Sequence, residues 1–197
     1  LLLNMVNGPS TSGTNDSPLW GAYLTLSSSG VSRYFAFDSA SAGLALLRAH
    51  QIFGGTKYLL GSRACLWFVR GMQCGDKITS FPSSSDAAGA TVVHFGGISS
   101  EIGNNGGTYN LSNTYGQSEN GVALEFMFRF NAVVGDETIG SSTNTAPFNA
   151  SRAVALATAI TELKDFWKNG TADAVTGTTI TGLSTGSHLH WSVLIGG

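Results

Sequence analysis

The sequence predicts a mainly β protein, in which two antiparallel sheets pack as an eight-stranded jelly-roll sandwich with two helices in the connections. Two patterns carry this prediction. Residues 64–69 form an apolar run flanked by arginines, which is typical of a strand covered on both faces. Residues 122–130 are apolar at every second position, which is typical of a strand with one buried face.

The first of these runs has a competing interpretation as a buried helix. The run belongs to a longer stretch, residues 58–71, in which Gly61 interrupts the apolar pattern, and Gly54 and Gly55 precede it. Glycine is unfavourable inside a helix, so the strand is the preferred assignment. The predicted core consists of Leu66, Phe68, Val122, Leu124, Phe126, Phe128 and Phe130.

The N-terminal part of the chain divides at about residue 18. Residues 1–18 are rich in Gly, Ser, Thr, Asn and Pro, which indicates an arm or loop, and residues 19–197 form one predicted domain. Its first strands are predicted at 19–26 and 31–37.

A short helix should follow the second strand. Asp38 or Ser39 can cap its start, and Gly54 stops it after Phe53.

The central stretch, residues 96–120, is rich in Gly, Asn and Ser and follows a short predicted strand at 91–95. A long, weakly patterned stretch of this kind is usually functional or interfacial. We expect residues 108–111 to pair within it, and the stretch to be ordered by contacts with other chains, as the N-terminal arm would be.

The clearest predicted helix covers residues 151–168. Its apolar stripe contains Ala153, Leu156, Ile160, Leu163 and Trp167. Two further strands, at 178–183 and 187–195, complete the sandwich.

Composition excludes several classes of protein. Only 11% of the residues are charged, the net charge is −2, and there is no basic block of the kind that grips nucleic acid. No apolar run is long enough to span a membrane, and the first residues lack the features of a signal peptide. Since the sequence begins without Met, we expect cleavage from a precursor or a trimmed chain.

Cys65 and Cys74 could form a disulfide, but two buried or half-buried thiols are favoured.

Three groups of residues could carry chemistry, and each has a simpler interpretation. Residues 182–186 match the Gly-x-Ser-x-Gly nucleophile elbow, but a strand rather than a helix follows them. His188 and His190 could bind a metal, although a polar strand face is favoured. Asp136 and Glu137 could bind Ca²⁺, although a solvated loop is favoured. Sequons occur at four asparagines, a number close to chance: Asn15, Asn110, Asn149 and Asn169. The sequence therefore predicts no catalytic residue, metal site or cofactor.

Three segments resemble parts of the picorna-like capsid proteins of dicistroviruses and marine RNA viruses. Leu46-Leu47-Arg48 is similar to a helix segment of that family, and Gly61-Ser62-Arg63 is similar to the start of one of its strands. Residues 187–196 resemble its closing strand, without the acidic pair found there. The resemblance spans residues 44–197. It implies a jelly roll and a structural role in an icosahedral shell, in the virion, without catalysis. Its partners would be other capsid subunits, with a host receptor as a further candidate.

Two other classes remain open. One is a secreted, extracellular β-sandwich that binds carbohydrate through aromatic residues such as Trp20, Tyr109 or Tyr115. The other is a phage or filament structural protein, which composition does not separate from a viral coat.

Overall fold

Helix dominates the part of the chain that the structure describes. The computed structural model describes six stretches: residues 21–23, 32–73, 96–105, 108–111, 117–139 and 154–169. Within them, four α-helices pack on one another, and the strands are few and short. The predicted mainly β, eight-stranded jelly-roll sandwich is therefore wrong.

The described elements follow one another in the order β1 (Ser32–Phe35), α1 (Ala36–Phe53), α2 (Thr56–Gly71), β2 (Glu101–Asn105), β3 (Thr108–Leu111), α3 (Gln117–Val134), β4 (Thr138–Ile139), β5 (Val154–Ala155) and α4 (Leu156–Asn169). The first three strands form an antiparallel sheet in the order β1-β2-β3, and the last two form a separate antiparallel pair. The predicted pairing of residues 108–111 is confirmed, since β3 pairs with β2.

The apolar run at 64–69 lies in helix α2, so the strand predicted for residues 58–71 is wrong. Most of its residues from 62 to 70 are buried, as expected of a helix that is covered on several sides: Ser62, Ala64, Cys65, Leu66, Phe68, Val69 and Arg70. Gly61 is tolerated inside this helix. The predicted burial of Leu66 and Phe68 is confirmed.

The alternating pattern at 122–130 also lies in a helix, α3. Leu124, Phe126 and Phe130 are buried as predicted, but Phe128 is 40% exposed and Val122 is only partly buried. Ala123 and Met127, which a strand would place on the opposite face, are fully buried. This set of buried positions fits a helix that packs against several neighbours, and it does not fit a strand with one apolar face.

Helix α1 ends where the sequence predicts. Gly54 has a φ of 67°, and its N–H donates to the carbonyl of His50 at 2.8 Å. The start differs, because the helix begins at Ala36 rather than after Asp38 or Ser39. The Ser39 hydroxyl instead accepts a hydrogen bond from the Tyr23 N–H at 2.9 Å. The strand predicted at 31–37 consequently ends at Phe35.

Helix α4 confirms part of its predicted stripe. Leu156, Ile160 and Leu163 are buried, as are Ala159 and Phe166. Some predictions fall outside the described residues: the arm at 1–18, the strands at 91–95, 178–183 and 187–195, most of the strand at 19–26, Ala153 and the Trp167 side chain.

The segment 96–100 joins the helices through buried hydrogen bonds. The Asn120 side chain, on α3, accepts from the Ile98 N–H at 2.7 Å and donates to the Ile98 carbonyl at 3.1 Å. The Gln73 amide, just after α2, donates to the carbonyls of Gly96 and of Ala159 on α4, both at 2.9 Å. We call this segment with its partners the polar hub. Its burial within its own chain departs from the expectation that residues 96–120 are ordered by other chains.

The hub also fixes the direction of the helices. The Ala36 N–H, at the start of α1, donates to the Ser100 carbonyl at 3.0 Å, so α1 and α3 both start at the hub. Helix α2 returns antiparallel to α1 through Gly54 and Gly55. The turn between α1 and α2 therefore lies at the opposite end of the helices from the hub.

Helices α1 and α3 cross closely at Gly43, because the ring of buried Phe126 lies end-on over its backbone. A methyl group added at Gly43 would overlap that ring. Replacing Gly43 by Ala should therefore lower the free energy of unfolding by roughly 1–3 kcal/mol, even though Ala is the better helix former by about 1 kcal/mol.

Chemical denaturation of Gly43→Ala, Phe126→Leu and the double variant measures this effect. Because Leu lacks the outer ring atoms, the double variant should be more stable than the sum of the single changes predicts. Simple additivity would show that the two residues are not in contact.

The two-way bond between Asn120 and Ile98 can be tested separately. Asn120→Ala leaves two buried backbone groups without that partner, at a cost of about 1–3 kcal/mol for each group. Gln51→Ala removes an exposed amide and should change stability by less than about 0.5 kcal/mol. Equal denaturation midpoints for these two variants would contradict the role assigned to the hub.

Candidate functional site

The acidic pair predicted as a possible Ca²⁺ site is engaged in structural contacts. An Asp136 carboxylate oxygen accepts a hydrogen bond from the Ala157 N–H, in the first turn of α4, at 2.8 Å. Glu137 forms an ion pair with Arg63 of α2, and both its carboxylate oxygens accept hydrogen bonds from the guanidinium. The pair thus holds the start of α4 against α2. No group of three or more His, Cys, Asp or Glu residues able to hold a metal occurs in the described stretches.

The other predicted chemical groups have mixed outcomes. His188, His190 and the motif at 182–186 lie outside the described residues. The Nδ1 atom of His50 lies 3.2 Å from the Gly55 carbonyl, so this histidine stabilises the turn after α1. Cys65 is a free, buried thiol, and Cys74 lies outside the described part.

Apolar side chains are exposed at the turn between α1 and α2. Phe53 is 74% exposed, Ile52 is 57% exposed and Leu60 is 55% exposed. The rings of Phe53 and Tyr58 lie 6.4 Å apart, and the Lys57 ammonium lies 5.0 Å from the centre of the Tyr58 ring. We call residues 52–60 the hairpin tip. Large apolar groups exposed together mark interaction sites in soluble proteins.

The local sequence explains the shape of the tip. Gly54 and Gly55 both adopt a positive φ, of 67° and 87°, which lets two long helices reverse direction within two residues. The last side chains of α1 then project past the body of the protein. At the tip, α1 ends with the Gly54 N–H bonded to the His50 carbonyl, whereas α2 begins after Gly55 without a side-chain cap.

From residue 39 to residue 71, the hairpin formed by α1 and α2 carries positive charge only; Asp38, in the first turn of α1, precedes this range. Between Ser39 and Gly71 the sequence has four basic residues and no Asp or Glu. The other described residues carry eight acidic and four basic residues, a net charge of −4. Within the hairpin, Arg70 is buried and Arg63 is paired with Glu137, so Arg48 and Lys57 are the two basic residues that it exposes most.

A cleft of about 520 Å³ lies between α1 and α3, next to the tip. Its walls combine apolar side chains of α1 with polar groups of both helices, namely Leu44, Ala45, Leu47, Arg48, Gln51 and Arg129. The volume is within the range of small-molecule sites.

Comparisons with known proteins give no relative for this chain. No protein-family model matches the sequence, and neither the curated proteins nor the solved structures provide a match. Among the helices that the structure describes, none is both long enough and apolar enough to cross a membrane.

Sequence reasoning missed both the tip and the cleft. The tip depends on reading residues 58–71 as a helix, because only then does Gly54-Gly55 become a tight turn between two helices. The absence of acidic residues from 39 to 71 was a visible signal for a distinct surface. The cleft needs the packing of α1 on α3, which no local pattern contains.

The buried Cys65 thiol yields a prediction about reactivity. Burial removes the thiolate from water and raises the pKa of Cys65 from 9.0 to about 12. In a Cys74→Ser variant, which keeps one thiol, a thiol-specific reagent at pH 8 should label Cys65 only when the protein unfolds. Labelling of the native protein as fast as of the denatured protein would contradict this burial.

The same shift in the pKa predicts a loss of stability in alkali. Between pH 9 and 12 the folded thiol keeps its proton while the unfolded chain releases it, so the free energy of unfolding should fall as the pH rises. Denaturation midpoints of the Cys74→Ser variant measure the slope. Adding Cys65→Ala removes the titrating thiol, so the free energy of unfolding should fall less steeply with pH. An unchanged slope would show that other groups cause the loss of stability.

Proposed function

We propose that this chain is a structural subunit that works by assembling with further copies of itself, with the hairpin tip as its main contact. The observation that carries this proposal is the exposure of Ile52, Phe53 and Leu60 at one end of the molecule. Exposed aromatic and aliphatic anchors of this kind supply most of the binding energy in protein interfaces.

The distribution of charge favours a second copy as the occupant of the tip. The hairpin is basic, and the rest of the described chain is acidic. Helix α3 exposes Phe128 and Val133 and carries the partly buried Glu119 in its first turn. Exposed apolar groups on an acidic part of the chain complement the apolar, basic tip. A tip bound to α3 of the next copy is a head-to-tail contact, which generates rings, shells or filaments.

A virus coat is the form of assembly that the sequence resemblance suggests, and it remains part of the proposal. The jelly roll implied by that resemblance is not the fold of the described residues. Its segment Gly61-Ser62-Arg63 lies in helix α2 instead of at the start of a strand. The support for assembly therefore comes from the tip and from the small number of charged residues.

The tip can be tested without disturbing the core. Changing Ile52 and Phe53 to Ser removes two exposed anchors, so it should leave the melting temperature unchanged and weaken association. Loss of one aromatic anchor costs about 2 kcal/mol, a factor of roughly 30 in Kd. Sedimentation velocity and light scattering over a range of concentrations measure the effect.

Phe37→Ser provides the matched control. Phe37 is 39% exposed and lies about 24 Å from Phe53 along the axis of α1, away from the tip. Its replacement should leave association unchanged. A wild-type chain that stays monomeric at high concentration, or an equal effect of the two variants, would contradict the proposal. A monomer that binds anionic lipid vesicles would assign the tip to a membrane surface instead.

The basic side of the contact can be tested by reversing the charge of one residue. Lys57→Glu should weaken association and reduce its dependence on salt, because the charge at the tip is reversed. Arg33→Glu is the control: it replaces a positive charge by a negative one far from the tip, where Arg33 pairs with Glu101 of the sheet. If both substitutions weaken association equally, net charge and not the tip controls assembly.

A further inference from the structure

The cleft between α1 and α3 is a second feature that the proposed function does not use. It lies on the side of α1, one turn before the tip, and has room for a small organic molecule. Leu44 and Leu47 form an apolar wall. Arg48 and Arg129, one from each helix, are the two basic residues that line the cleft.

We propose that this cleft is a binding site for a small anionic amphiphile, namely a medium-chain carboxylate. The anionic head would bind the guanidinium groups of Arg48 and Arg129, and the hydrocarbon part would lie along Leu44 and Leu47. Leu44 and Gln51 are seven residues apart on α1, which corresponds to about 10 Å along the helix axis. This length fits a medium-chain acid better than a long-chain one.

The charges at the cleft favour an anion. Of the ion pairs formed among the described residues, none involves Arg48; its guanidinium only donates to the Gln51 side-chain oxygen at 3.4 Å. Arg129 uses its Nε atom to donate to Glu125 at 2.9 Å, and this contact is not bidentate. A carboxylate with two nearby guanidinium groups forms charge-assisted hydrogen bonds, which are among the strongest in proteins.

Glu125 is the internal competitor for such a ligand. One of its carboxylate oxygens is bound by Arg129, and the other is buried without a hydrogen-bond partner. Its negative charge opposes an anion in the cleft. Removing that charge while keeping the shape, as in Glu125→Gln, should therefore strengthen binding, which an apolar groove alone would not do.

The inference does not depend on assembly. Binding can be measured with the Ile52→Ser/Phe53→Ser variant, whose cleft residues are unchanged, so that self-association does not cover the site. If octanoate fails to bind while the wild-type chain assembles, this inference is wrong and the proposed function stands. If octanoate binds while the wild-type chain stays monomeric, the proposed function is wrong and this inference stands.

The experiment is a calorimetric titration of the full chain with octanoate, and with octanol as a neutral probe of the same length. We expect octanoate to bind at least tenfold more tightly than octanol. Arg48→Gln and Arg129→Gln should each weaken octanoate binding by roughly tenfold, the effect of losing one charge-assisted hydrogen bond. Arg33→Gln, at an exposed ion pair on the sheet, is the matched control and should change nothing.

Four results would contradict the inference. Equal affinity for octanol and octanoate would show that the cleft binds only the hydrocarbon chain. An equal effect of Arg33→Gln and Arg48→Gln would show that octanoate is attracted by the net charge of the protein and not by Arg48. A short acidic peptide that displaces octanoate at a lower concentration would assign the cleft to a protein partner. Weaker binding to Glu125→Gln than to the wild-type chain would contradict the role given to the internal carboxylate.

Discussion

The structure depends on the need to pair the buried backbone of residues 96–100. This segment is not part of a regular strand, yet all five residues are buried, so its amide and carbonyl groups must find partners inside the protein. The Ile98 groups are paired by Asn120, and the Gly96 carbonyl by Gln73. The Ser99 N–H donates to the Met72 carbonyl at 3.0 Å, just after α2. Together with the Ala36 bond to Ser100, these contacts connect the segment to all four described helices.

This hub explains why the two ends of the molecule differ. Near the hub, buried polar groups are satisfied by specific bonds, and a change of geometry would leave several of them unpaired at once. At the other end, α1 and α2 reverse direction at two glycines, and no buried polar network holds the turn. The hairpin is fixed by its base and by its packing on α3. Its tip is therefore free to carry exposed apolar groups that contribute nothing to folding.

The sequence identified much of the core and misassigned its secondary structure. Phe126, Phe130 and Leu66 were recognised as core residues because large apolar side chains are buried in either kind of element. A nine-residue window with an apolar residue at every second position fits a strand, and the same positions also include the three- and four-residue spacings of a helix. Glu125 and Arg129 form an ion pair at the spacing of one helical turn, and that spacing was the visible evidence for a helix. The hub was not predictable, since Asn120 and Gln73 act through partners more than twenty residues away.

The separation of charge between the hairpin and the rest of the chain bears on both proposals. Among the described residues, Arg63 of the hairpin pairs with Glu137 in a partly buried, bidentate contact that holds α2 near the start of α4. Arg48 and Lys57 are exposed, and residues 39–71 around them contain no Asp or Glu. Because exposed charges are screened over about 8 Å at physiological ionic strength, acidic groups elsewhere in the chain affect them only at short range. Their charge is therefore available to other molecules, which in the two proposals are a further subunit at Lys57 and a small anion at Arg48. The same helix α1 can serve both, because Leu46 and Leu47 are buried while Arg48 and residues 51–53 are exposed.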